Sequence, residues 1–139
     1  MIIQQISVFL ENRAGQLAEI TGILAQNGID LRAINIAETQ DYGVLRMISE
    51  KPEETTSILK EHGFLFSTTP VVAVTVPDQP GGLAKILELL VANGIDVEYM
   101  YSIFGHVNNQ ALMIFKVADT EQLVSILTDA GIQTLCELP

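Results

Sequence analysis

The chain has 139 residues, 48% of them hydrophobic, and 17 acidic against 7 basic residues give it a formal charge of −10. Binding a phosphate backbone requires clustered Lys and Arg, so neither nucleic acid nor an anionic membrane surface is an expected partner. The single cysteine, Cys136, excludes an intramolecular disulfide framework and a multi-cysteine metal site; its apolar setting (Ile132, Leu135, Leu138) predicts a buried structural thiol.

Residues 1–5 lack the basic and apolar regions of a signal peptide, and no apolar run approaches the ~18 residues of a membrane span. A soluble, cytoplasmic protein is expected. Ile6, Val8 and Leu10 alternate with Ser7 and Phe9, the period of a strand with one buried face. The turn Asn12-Arg13-Ala14-Gly15 follows, then Leu17, Ile20 and Leu24 at the spacing of an amphipathic helix that stops at Asn27-Gly28. A second strand is predicted over 29–37. Its apolar phase slips between Leu31/Ala33 and Ile34/Ile36, which predicts a bulge. A third strand over 43–49, a helix marked by Ile58-Leu59 that closes at Gly63, and a fourth strand over 64–68 complete the half.

From Val72 the order begins again. Val72, Val74 and Val76 form a strand, Asp78-Gln79-Pro80-Gly81-Gly82 a turn, and Leu83, Ile86 and Leu90 a helix ending at Asn93-Gly94. Strands over 95–104 and 111–117, a helix carrying Leu123, Ile126 and Leu127, and a strand over 132–138 follow. At an offset of 66, identity falls on Val8/Val74, Gly15/Gly81, Leu17/Leu83, Ala18/Ala84, Ile20/Ile86, Leu24/Leu90 and the whole of Asn27-Gly28-Ile29-Asp30 against Asn93-Gly94-Ile95-Asp96. This is a duplicated module. Toward the end the offset becomes 68, so the second copy carries two extra residues near Gly105 to Asn109.

Each half therefore reads β-α-β-β-α-β. The expected fold class is α+β: two tandem ferredoxin-like units, 1–69 and 70–139, each an antiparallel sheet with its helices on one face. Modules of about 70 residues are marginal alone, so the halves should pack together or with another chain, and a homo-oligomer (a dimer) is expected. The second strand lies at a sheet edge that could pair with its copy.

The repeated turns nominate two sites. The first N–H groups of a helix lack intrahelical acceptors, and the positive end of the helix dipole lies there. Gly15 and Gly81 would let a carboxylate approach the backbone closely. Asp30 and Asp96 begin the second strands. Across an antiparallel pairing of modules, Asp96 would come near Asn12 and Asp30 near Asp78, setting a carboxylate binder opposite an ammonium binder. A free α-amino acid carries those two charges. Ordinary helix capping by Asn12 and Asp78 explains the same residues, and the pattern alone leaves both readings open.

The segments E-N-R-x-G-x-L-x-x-I with N-G-I-D, and D-Q-P-G-G-L with N-G-I-D, resemble ACT domains, among them the regulatory domain of phosphoglycerate dehydrogenase. The resemblance covers essentially the whole chain as two copies. It implies a regulatory protein that binds a small molecule, typically an amino acid, at the interface of paired modules and passes the signal to a partner enzyme or regulator. By position, the implied ligand-binding residues are Asn12, Arg13, Ala14, Gly15, Gln16 and Leu17 of the first turn, with Asp96. Tyr99, Met100 and Tyr101 lie beside them. The second set is Asp78, Gln79, Pro80, Gly81, Gly82 and Leu83, with Asp30. Asp78 stands where the family has Asn. Two carboxylates facing each other repel, so Asn12 with Asp96 is the better expected site.

No Ser-His-Asp arrangement, P-loop or dinucleotide fingerprint occurs, and a non-enzyme without cofactor or metal is expected. His62 ends a helix, where its charge suits the dipole, and His106 falls in the longer loop of the second copy. The rival reading is an adaptor that docks through a sheet face without a ligand.

Overall fold

The computed structural model describes residues 2–11, 13–38 and 42–139. Two compact units divide the chain, Gln4–Thr69 and a second built on Pro70–Pro139. In the first, β1 (Ile3–Glu11), α1 (Gln16–Gln26), β2 (Leu31–Glu38), β3 (Tyr42–Ser49) and α2 (Pro52–Glu61) lead to β4 (Leu65–Pro77). The strand order β2-β3-β1-β4 is antiparallel where β3 pairs with β1 and with β2. In the second unit, β4 passes into α3 (Gly82–Ala92), β5 (Tyr99–Val107), β6 (Gln110–Lys116), α4 (Thr120–Asp129) and the two-residue β7 (Thr134–Leu135). Here β6 lies between β5 and β4, and β7 pairs with the other side of β4. Both units realise the βαββαβ plan, and the fold is α+β.

Alternation decides which face the helices cover. Ile6, Val8 and Leu10 of β1 join Leu45 and Met47 of β3 under Ile20 and Leu24 of α1 and Leu59 of α2. In the second unit Val72, Val74, Val76 and Phe115 meet Ile86, Leu90, Leu123 and Leu127. Burying each of these side chains contributes roughly 1.5–3 kcal/mol, which is what holds helices whose own hydrogen bonds are marginal at 10 or 11 residues. The predicted bulge in the second strand is present: the β2–β3 register shifts between Leu31 and Ala33. Its counterpart in β5 lies between Ser102 and His106.

Three local expectations are corrected. The strands predicted separately over 64–68 and from Val72 are one 13-residue strand, β4. Thr68 and Thr69 are β-branched and Pro70 has an extended φ, so nothing at the junction breaks the strand. The last strand is two residues long instead of seven. Beyond it alternation no longer directs side chains inward, and Cys136 is exposed, not buried. Among the described residues, β2 pairs with β3 and β5 with β6. No described helix is long and apolar enough to cross a membrane.

Candidate functional site

The helix starts separate into two kinds. The chain enters α4 through Asp119, whose carboxylate accepts from the Gln122 N–H at 3.0 Å, an ordinary N-cap. It enters α2 through Pro52, whose missing N–H removes one orphan donor. Helices α1 and α3 differ from both. Each starts on a glycine in the left-handed region, Gly15 at φ 86° and Gly81 at φ 84°, and among the described residues no side chain caps either start. A residue with a Cβ would be strained there. These two helices are the ones that the repeat nominates.

Asn12 lies outside the described residues. Around it, the Arg13 N–H donates to the Glu11 carbonyl at 2.8 Å, and the Arg13 side chain reaches Glu11 Oε2 at 3.6 Å and Glu19 Oε2 at 3.4 Å. Arg13 is thus held by two acids at the mouth of the turn. Ala14 and Gly15 are exposed and Leu17 is 38% exposed. Gln16 is half-buried, and its Oε1 is a buried oxygen without a hydrogen-bond partner among the described residues.

In the second copy, Asp78 does not cap α3. Its Oδ2 accepts from His106 Nε2 at 3.2 Å, tying the turn to the β5–β6 hairpin. The two extra residues of this copy explain the contact. Asn108 and Asn109 take left-handed φ values of 52° and 62° in a two-residue turn between the paired Val107 and Gln110. The hairpin and its bulge carry His106 back over the turn. Gln79, Pro80 and Gly81 are exposed, Gly82 is buried and Leu83 packs against the core.

The repeated Asn-Gly-Ile-Asp can be resolved residue by residue. Asn27 and Asn93 each donate through Nδ2 to a carbonyl of the preceding turn, Ile23 and Leu89, both at 2.8 Å. Gly28 and Gly94 carry the chain out of the helix, and Ile29 and Ile95 sit in the core. The aspartates alone have no shared structural task. Asp30 pairs with Arg32 Nη1 at 3.3 Å. Asp96 is exposed and has neither ion pair nor hydrogen bond for its carboxylate among the described residues. Both aspartates precede their strands, which begin at Leu31 and Tyr99, slightly later than predicted. On β5, Tyr99 is half-buried, Met100 is 36% exposed and Tyr101 is buried.

The second unit also holds a cavity of about 420 Å³, whose lining includes Gln79 and Gly82 of the nominated turn together with Lys85 and Gln110, which sequence reasoning passed over. His62, predicted to serve a helix C-terminus, does so: its Nδ1 bonds the Ile58 carbonyl at 2.9 Å.

A family model described as an ACT domain pair matches residues 1–137. Among solved structures, protein BT0572 from Bacteroides thetaiotaomicron is 38% identical, with 97% of this chain and 92% of that one covered and a TM-score of 0.91. The regulatory subunit of aspartate kinase from Thermus thermophilus, in its ligand-free form, is 18% identical with 91% of each chain covered and a TM-score of 0.64. The α and β subunits of an aspartokinase are 16% identical, with 94% of this chain and 96% of that chain covered and a TM-score of 0.57. These two share the fold. No curated protein matches the chain.

Proposed function

Because the chain belongs to the family of paired ACT domains, regulatory modules in their known members, we propose that it is an amino-acid sensor built from two such domains, 1–69 and 70–139. In this reading it acts in the cytoplasm as a homodimer and passes the bound state to a partner enzyme or regulator. The amino acid is held between ACT modules, its carboxylate at the uncapped start of α1, from Asn12 to Leu17, and its ammonium on Asp96. Tyr99, Met100 and Tyr101 shape the pocket.

One observation carries the reading: both first helices start on a left-handed glycine, which has no side chain to cap them, and of the repeated aspartates Asp96 has no partner among the described residues whereas Asp30 is held by Arg32. Helix N-termini hold carboxylates through orphan N–H groups, and a free carboxylate is the natural mate for an ammonium. The second set, Asp78 to Leu83 with Asp30, is the weaker one, since Asp78 is bonded to His106 and Asp30 to Arg32.

Calorimetric titration with each proteinogenic amino acid tests this. At least one binds with a dissociation constant in the micromolar to millimolar range; a complete blank removes the proposal. With that amino acid, Asn12→Ala weakens binding far more than Asp78→Ala does. Equal losses would mean that the two turns serve alike.

A further inference from the structure

The cavity of the second unit lies where β7 stops short. The carbonyl of Gln133 takes both the N–H and the Oγ1 of Thr75, each at 3.0 Å, and ladder pairing of β7 covers only Ala73 and Val74. Past that point the β4 edge runs on to Pro77 without a β7 partner, while β6 holds its other side. The opening is bounded by the start of α3 and by Gly131 to Gln133, which follow α4. Its volume of about 420 Å³ falls in the range of small-molecule sites, about 300–1,000 Å³.

One wall is closely packed, and the charge of the lining is one-sided. A Cβ on Gly82 would stand 2.1 Å from the Pro77 carbonyl oxygen, so the turn closes on the strand end only because residue 82 is glycine. Pro77, Ile86 and Ile132 supply the apolar surface. The polar lining is Thr75, Gln79, Lys85, Gln110 and Gln133; no acidic side chain lines the cavity. In a chain of net charge −10, Lys85, like Lys60, has no acidic partner among the described residues, whereas Arg13, Arg32, Lys51 and Lys116 each have at least one.

The first unit is an internal control. The register sets Glu11 opposite Tyr42 as it sets Pro77 opposite Gln110, which makes those positions equivalent. Where the second unit has Thr75, Gln110 and Gln133, the first has Phe9, Tyr42 and Leu65, exposed by 41%, 49% and 71%. Where the second has Lys85 the first has Glu19, and that acid is held by Arg13. Phe9, Tyr42 and Leu65 give way to smaller or amide-bearing polar side chains in the second copy and Glu19 to Lys85, while Glu11 and Arg13 give way to the uncharged Pro77 and Gln79. A merely solvated surface would give no reason for all these changes to converge on one cavity.

We infer that this cavity is a second ligand site, contained within the second unit and specific for a small anion. A carboxylate or phosphate head group pairs with Lys85, the glutamine carboxamides hydrogen-bond the polar body, and Pro77, Ile86 and Ile132 take its apolar part. The site shares the Gln79–Gly82 turn with the residues discussed above but uses neither Asp96 nor Asn12.

Amide chemical shifts of ¹⁵N-labelled protein, titrated separately with succinate, 2-oxoglutarate and inorganic phosphate, test the inference and separate the head groups. At least one probe moves the amides of Gln79, Gly82, Gln110 and Gly131–Gln133. Its affinity falls at least about tenfold in Lys85→Glu, stays close to the parent in Lys85→Arg, and is unchanged in Asp96→Ala. Lys85 is exposed, so the Lys85→Glu spectrum itself reports that the variant is folded. No response to any probe, or a response that survives Lys85→Glu, overturns the inference. A response lost in Asp96→Ala also overturns it, because the anion would then sit at the amino-acid site. Absence of amino-acid binding leaves this result standing, so the two readings fail separately.

Discussion

The two units of this chain share a frame and differ in what the frame presents. In both, the first helix starts on a left-handed glycine, ends on an Asn that bonds its own helix, and returns to the core through an isoleucine. The polar positions around those fixed points have diverged. Glu19 faces Lys85 across the repeat, Arg32 faces Glu98, and Asn12 faces Asp78. Packing explains the contrast. A core or cap change costs a kcal/mol or more, whereas an exposed polar exchange falls within about 0.5 kcal/mol and is free to drift toward a task. Duplication here conserved what folds and released most of the exposed polar positions.

The largest test of that contrast concerns Gly82 and its counterpart Gln16. A Cβ at residue 82 meets a backbone oxygen, which cannot move aside as a side chain would. Gly82→Ala should lower unfolding stability by about 2–3 kcal/mol in urea titration, in line with other forced overpacking. Gln16→Met should be neutral or stabilising by up to about 1 kcal/mol, because it removes a buried oxygen that has no partner among the described residues. Similar losses in the two variants would show that the two turns are built alike after all.

Next in size is the pair of aspartates. Asp96 has no partner to lose among the described residues, so Asp96→Ala should leave the thermal midpoint unchanged and weaken amino-acid binding at least about tenfold, the worth of a charge-assisted bond. Asp30→Ala should do the reverse on a smaller scale, removing one of the two acids on Arg32, which keeps Glu50, with little effect on binding. Calorimetry and a thermal melt on both variants give the comparison. Equal binding losses would sink the asymmetry.

The caps come third. Asp119→Ala should cost about 1 kcal/mol, since its carboxylate satisfies an α4 N–H. Asp78→Ala, at the position sequence alone equally well reads as a cap, should cost less than about 0.5 kcal/mol because its carboxylate faces His106 in an exposed pair. A loss of about 1 kcal/mol at both positions would restore the capping interpretation of the second turn.

The fold was legible because its signals are periodic. Strand alternation at Ile6, Val8 and Leu10, the i, i+3, i+7 stripe in α1 and the phase slip that marks the β2 bulge are all one-dimensional records of packing. Lengths were less legible. Nothing in the composition of residues 132–138 announces that the β4–β7 ladder pairs only Thr134 and Leu135, or that Thr68-Thr69-Pro70 runs on as strand. The nominated turns were visible through repetition, but their partners were not. Asp78 meets His106, 28 residues away, only because a two-residue insertion folds a hairpin back. The length difference between the copies was the available clue to that contact. Lys85 gave a weaker one: it replaces Glu19 beside the repeated Leu-Ala, but the cavity it lines draws on β4, α3, β6 and the turns beside them.

The smallest expected effect is at His106. Its ring and the Asp78 carboxylate are each about 60% exposed, so solvent screens the pair. A double-mutant cycle of His106→Gln and Asp78→Asn should give a coupling of no more than about 0.5 kcal/mol. The consequence lies in binding. If His106 only occupies a carboxylate that is unsuited to an anionic ligand, Asp78→Asn, which restores the residue of the first turn, should still not match it, because Asp30 remains bonded to Arg32. Combining Asp78→Asn with Arg32→Ala gives the second set the amide and the free aspartate of the first. Two bound amino acids per chain in that double variant, against one in the parent, would show that these two positions suffice to make the sites unequal. A single site in both would place the difference in the shape of β5, where Tyr99 and Tyr101 replace Ala33 and Asn35.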